Sequence, residues 1–194
     1  SLKQMIAGDQ IVHYYIETKN IEGNIPIDEV DTQYIKSIFE YIDYICGLKI
    51  RQSQSYGNAD ITFTQVDSQF FDNPIDEGTL GYTALEIDEY GSYFEIVYVD
   101  NEADYGNDDI TIMHEIGHAL GLTHPYGDGF NPNFTQDDTV MSYNPAPSGW
   151  QGFTDSDVSA LKYLWGDRGT NYDSKVSTSS DSNTSTSSDT NTSS

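Results

Sequence analysis

His114-Glu115-Ile116-Gly117-His118-Ala119-Leu120-Gly121-Leu122-Thr123-His124 is the stretch around which this 194-residue chain makes sense. His114 and His118 lie four residues apart with Glu115 between them. On an α-helix that interval turns through about 400°, so both imidazoles stand on one face, about 6 Å apart along the axis. They can grip one metal ion, and Glu115 points from nearly the same face, within reach of a metal-bound water as a general base. Gly121 can take the left-handed conformation that ends a helix. Reversal there lets His124 swing back as a third ligand. Three protein ligands leave a position open, which marks a catalytic rather than a structural zinc site. Imidazole suits several transition metals, and zinc is the usual occupant. A bare His-Glu-x-x-His also arises by accident on solvated helices. The longer form uses three of the chain's four histidines and is far more specific.

Thr139-Val140-Met141-Ser142-Tyr143 follows downstream. The histidine motif and this Met-containing turn together resemble the metzincin zinc peptidases. Met-Ser-Tyr after His-Glu-Ile-Gly-His-Ala-Leu-Gly-Leu-x-His-Pro is most similar to the serralysin branch. The resemblance is dense over residues 108–166 and thin before them. It implies an α+β zincin domain: a twisted mixed sheet with an antiparallel edge strand, a long helix plus the active-site helix, and a small irregular C-terminal subdomain ending in a helix. The upper subdomain would span about 1–124 and the lower about 125–170. The implied activity is zinc-dependent endopeptidase action on protein or peptide substrates by a secreted hydrolase, expected as a monomer.

Residue roles follow from the same reading. Zinc on His114, His118 and His124 would lower the pKa of its water towards about 7. Glu115 would take the proton and later deliver it to the leaving amine. By resemblance, Tyr143 is an additional zinc ligand that swings away when substrate binds. Its phenol would then donate to the oxyanion, an interaction worth roughly 3 kcal/mol; the alternative is a plain core tyrosine. Met141 would be a packing floor beneath the metal, without chemistry of its own. Gly81, Tyr82, Thr83 and Ala84 would form a rim strand onto which an extended peptide adds antiparallel, the alternative being a covered edge. Pro145 to Trp150 would wall the pocket for the residue after the cut.

Two rivals stand beside the peptidase. One is a binding or adhesion module that keeps the metal without cleaving, against which the intact Glu115 argues. The other is a zinc amidase acting on a non-peptide substrate, which a rim suited to backbone pairing disfavours.

Composition sets outer bounds. The length suits one domain with a real core, and fifteen Tyr with eight Phe make the body globular. Cys46 is the sole cysteine, so no intramolecular disulfide forms; in its helical context it reads as a buried small hydrophobe. A net charge of −24 repels nucleic acid and anionic membranes. It reads first as solubility or a saline habitat, with steering of cationic partners as the other reading. Calcium at surface acids is a second cofactor to consider, but no Asp-x-Asp-x-Asp-Gly loop supports it. The calcium-binding Gly-Gly-x-Gly-x-Asp repeats usual in serralysins have no counterpart here, so calcium dependence is not carried over. No apolar run is long enough to span a membrane, and no signal peptide is visible.

Along the chain, Gln10 to Glu17 reads as a strand, with His13 a surface or edge residue. Asp28 caps a helix to about Cys46, with Val30, Tyr34, Ile38, Ile42 and Ile45 as its core stripe and Gly47 as its stop. Strands are expected at 48–52, 59–64, 79–85 and 93–99, with loops at 65–78 and 100–107. Asn107 or Asp108 caps the histidine helix. Pro125, Gly127, Gly129, Pro132, Pro145 and Pro147 make the next segment irregular. Thr154 to Asp157 opens a closing helix carrying Val158, Leu161, Leu164 and Trp165 and ending at Gly166. The Ser/Thr/Asn/Asp-rich tail, 171–194, is expected to be disordered or a linker to further domains.

Overall fold

The β-branched and aromatic runs become five strands, whose arrangement is given by a computed structural model. It describes residues 1–21, 23–67, 79–100, 108–150 and 152–168. The expected tail and most of the two expected loops lie outside the described residues. β1 (Ile11–Ile16), β2 (Lys49–Gln52), β3 (Ile61–Val66), β4 (Gly81–Asp88) and β5 (Gly91–Val99) form one sheet in the order β2-β1-β3-β5-β4. The first three and β5 run parallel, and β4 pairs antiparallel with β5 at the edge. The chain is thus α+β with a five-stranded mixed sheet. Parallel strands inside a sheet are covered on both faces, and β3 buries Ile61, Thr62, Phe63, Gln65 and Val66 alike. Gln65 and Val66, expected in a loop, belong to this strand.

The helices are α1 (Leu2–Met5), α2 (Glu29–Cys46), α3 (Asp109–Ala119) and α4 (Asp155–Trp165). The single turn of α1 has no counterpart in the expected elements. Asp28 caps α2 by accepting from the Asp31 N–H at 2.9 Å. Gly47 ends it at φ +69°, where a side chain would be strained. Ile38, Ile42 and Ile45 are core, as is Cys46, whose thiol burial pushes up to about 11. Val30 is a correction: it is 68 % exposed. At the start of the helix the buried positions are Asp31, Thr32 and Ile35, and the stripe widens to take in Phe39 beside the expected Ile38, Ile42 and Ile45. His13 is not at an edge, since β1 is flanked on both sides; its side chain stays partly exposed, and its backbone N–H donates to Asp60 Oδ2 at 2.7 Å.

Buried polar groups fix where α3 begins. The Tyr98 hydroxyl donates to Asp31 Oδ2 at 2.8 Å, and Gln65 Nε2 lies 3.4 Å from both Asp31 Oδ2 and Asp108 Oδ2. Asp108 is the N-cap of α3, yet its side chain makes no capping bond to that helix. It is turned to this internal network, which ties α2, β3, β5 and α3 together. Groups so deeply buried stabilise only when hydrogen-bonded. Among the described residues, no helix is long and apolar enough to cross a membrane.

Candidate metal centre

The turn that ends α3 follows from Gly121. At φ +99° this residue reverses the chain. The Leu122 N–H then bonds the Gly117 carbonyl at 2.9 Å, and the Gly121 N–H bonds that of His118 at 2.9 Å. This paired closure is the Schellman motif. Trp165 Nε1 donates to the Leu120 carbonyl at 2.9 Å, so α4 holds the same turn from outside. Three residues beyond Gly121, His124 faces back on the helix.

There the three imidazoles converge. His124 Nε2 lies 3.2 Å from His114 Nε2 and 3.2 Å from His118 Nε2. One ligand atom from each of the three lies within 4.8 Å of the others. The far nitrogens are anchored: His114 Nδ1–H donates to the Val140 carbonyl at 2.9 Å, and His118 Nδ1–H to that of Leu122 at 3.0 Å. A carbonyl can only accept, so Nδ1 carries the proton and Nε2 presents a lone pair on both rings. A single proton on His124 Nε2 answers one of those lone pairs; a cation at the centre answers all three. Burial also keeps the rings neutral, pushing His114 down to about 4 and lowering His118 and His124. The triad can hold a metal ion.

Support for it comes from far along the chain. Asp157, only 3 % exposed, accepts from the Val140 N–H at 2.9 Å and from Thr139 Oγ1 at 2.6 Å. It also closes the capping box with Thr154 that opens α4. The peptide that receives His114 is therefore clamped by the last helix. Met141 is fully buried, and a Cβ on Gly117 would lie 2.7 Å from its Sδ. A glycine between the first two histidines is thus a packing requirement, and Met141 lies against the ligand helix.

Glu115 is buried, and burial pushes its carboxyl up to about 7, against the opposing Thr83 hydrogen bond. It borders an open cavity of about 450 Å³, along with His114, Tyr143, Gly81, Leu80 and Phe130. The Tyr143 ring stacks on His114 with centroids 5.2 Å apart and meets His124 edge-on at 4.6 Å. Burial, then the nearby Glu115 charge, raises its phenol. Tyr143 is 44 % exposed, so it is not a core tyrosine.

Of the expected rim, Gly81 lines the cavity, and Thr83 bonds Glu115. Tyr82 faces the other way, against Val66, Val97 and Val99. Pro145 is exposed and Trp150 packs on the core near Tyr34, with rings 6.5 Å apart; neither is among the cavity-lining residues. Gln136, Ile110 and Thr111 line it instead. Gly129 also escaped the sequence reading: a Cβ there would fall 2.4 Å from the Tyr143 ring. The chain matches no protein family and no curated protein in comparison. The geometry therefore carries the conclusion: in an α+β chain with a mixed sheet, α3 and the turn after it bring His114, His118 and His124 together as a triad that could hold a metal ion, beside a buried glutamate.

Proposed function

We propose that this chain is a zinc-dependent endopeptidase of the metzincin type, most similar to the serralysin branch, and secreted. The observation that carries this reading is the convergence of the three Nε2 atoms beside Glu115. Nitrogens around a tetrahedral zinc at about 2.0–2.1 Å stand about 3.3 Å apart, and two of the observed separations are 3.2 Å. A neutral, all-nitrogen donor set, with the far nitrogens of His114 and His118 on carbonyls, fits zinc and leaves a coordination position open.

Bound there, zinc supplies Lewis acidity, which polarises a carbonyl and makes water acidic enough to attack near neutral pH. The remaining work belongs to the chain. Glu115 removes a proton from the attacking water and passes it to the departing amine. Its burial suits both roles, since desolvation raises the carboxyl and makes it a better proton acceptor than an exposed glutamate. Tyr143, over the His114 and His124 rings, is placed to donate its phenol proton to developing negative charge. The outer edge of β4 offers backbone groups to an extended peptide.

Denatured casein incubated with the chain, with and without a zinc chelator, tests the reading, the fragments being identified by mass spectrometry. Chelator-sensitive cleavage that zinc restores is the expected result. About one zinc per chain with no cleavage would instead favour the metal-retaining binding module. Hydrolysis confined to small non-peptide amides would favour the amidase.

A further inference from the structure

Glu115 has two carboxylate oxygens, and only one of them has a hydrogen-bond partner among the described residues. Thr83 Oγ1 lies 2.8 Å from Oε2 and 2.9 Å from the Glu115 carbonyl oxygen. A hydroxyl has one proton to give, and an ionised carboxylate is the stronger acceptor. The bond to Oε2 leaves Oε1 as the oxygen available to a reacting water.

The approach that permits this contact is built into β4. Gly81 and Thr83 are two apart and so face the same side of the sheet, towards α3. At Gly81 a Cβ would meet Thr111 Cγ2 at 2.7 Å, the Val97 carbonyl at 3.0 Å and Glu115 Cγ at 3.3 Å. Glycine lets the edge strand close on the helix, and two residues later the hydroxyl arrives at the carboxylate. Thr83 also lies within the strand offered to the substrate backbone, opposite Ile96 of β5.

We infer that Thr83 is a positioning residue for the base: its hydroxyl fixes the Glu115 side chain through Oε2, assigns proton transfer to Oε1, and ties the base to the strand that holds the substrate. This role rests on the peptidase reading and goes beyond it. Orientation of a base matters chiefly in the transition state, so its loss falls on kcat rather than KM. A side chain acting only in strand packing would not produce that division.

Thr83→Val removes the hydroxyl while keeping shape and β-branching; Thr83→Ser keeps the hydroxyl. The zinc-loaded 194-residue chains are compared on a peptide taken from the casein fragments. Thr83→Val is expected to lower kcat about 10- to 100-fold with KM within about twofold. Thr83→Ser should restore most of the rate, and zinc affinity should be equal in all three. The ¹³C resonance of the Glu115 carboxylate, assigned through Glu115→Gln, should move in Thr83→Val and stay near wild type in Thr83→Ser. Equal kcat in wild type and Thr83→Val, or a Thr83→Ser variant as slow as Thr83→Val, overturns the inference. A wild-type chain that binds zinc and cleaves nothing removes the peptidase reading and this role with it. A wild type that cleaves beside an indifferent Thr83→Val removes this role alone.

Discussion

Both ends of α3 gather polar groups away from solvent, wholly at Asp108 and partly at His118 and His124, but they are completed differently. At the N-terminal end, acceptors meet donors: the Asp31 and Asp108 carboxylates face the Tyr98 hydroxyl and the Gln65 amide. At the C-terminal end, two acceptors meet at most one donor, with the Nε2 atoms of His114 and His118 both turned on His124. The first cluster contains its own donors. The second holds the outward nitrogens of His114 and His118 on carbonyls and turns their lone pairs towards His124, an arrangement that a cation satisfies. One end of the helix is architecture, and the other is a receptor.

Substitutions at the two ends should therefore separate. Glu115→Ala should keep about one zinc per chain, read by metal analysis, and lose at least about a thousandfold in cleavage rate. A variant as fast as the parent would remove Glu115 from the mechanism. Chelation should lower the melting temperature measured by calorimetry. Metal at a hundred times its dissociation constant contributes about 2.7 kcal/mol, or about 5–10 °C for a chain of this size. Tyr98→Phe should cost about 1–2 kcal/mol in urea unfolding and leave zinc affinity unchanged; a shift in affinity would mean that the two ends are coupled along α3.

The smallest effect is expected between β4 and β5, where burial first and the charge of Glu86 on β4 second raise the carboxyl of Glu95 on β5. A raised carboxyl means that the folded state holds its proton more tightly than the unfolded one. Stability is thus lost as pH rises from the ordinary glutamate value through the folded one. Glu86→Gln should return a few tenths of a kcal/mol at pH 7, discounted because Glu86 is exposed. It should change nothing at pH 3, where the Glu95 carboxyl is protonated and no longer repelled. Urea titrations at the two pH values provide the check.

What the sequence revealed was local. His114, His118, Gly121 and His124 sit within one helix and its turn, so spacing alone brings them together. Gly47 and the Thr154–Asp157 cap were equally legible, because each acts on its nearest neighbours. The supports were not. Asp157 reaches Val140 across 17 positions, and Thr83 reaches Glu115 across 32; no periodicity encodes such meetings. Gly129 looked like loop composition until the Tyr143 ring lay against it. Val30 fits helical spacing well, yet it faces solvent while its neighbour Asp31 is buried and bonded to the Tyr98 hydroxyl.

The short span from His114 to His124 also bears on how the chain reaches its fold. Its ligands are joined by few rotatable bonds, and the Gly121 reversal that gathers them needs no distant partner. Such contacts form early, before the slower pairing of strands far apart in sequence. An unfolded chain keeps the same three imidazoles on a short tether and can capture metal too. Part of the ion's affinity is then shared with the denatured ensemble, so the rise in stability on adding metal should fall short of the value its native affinity alone would give.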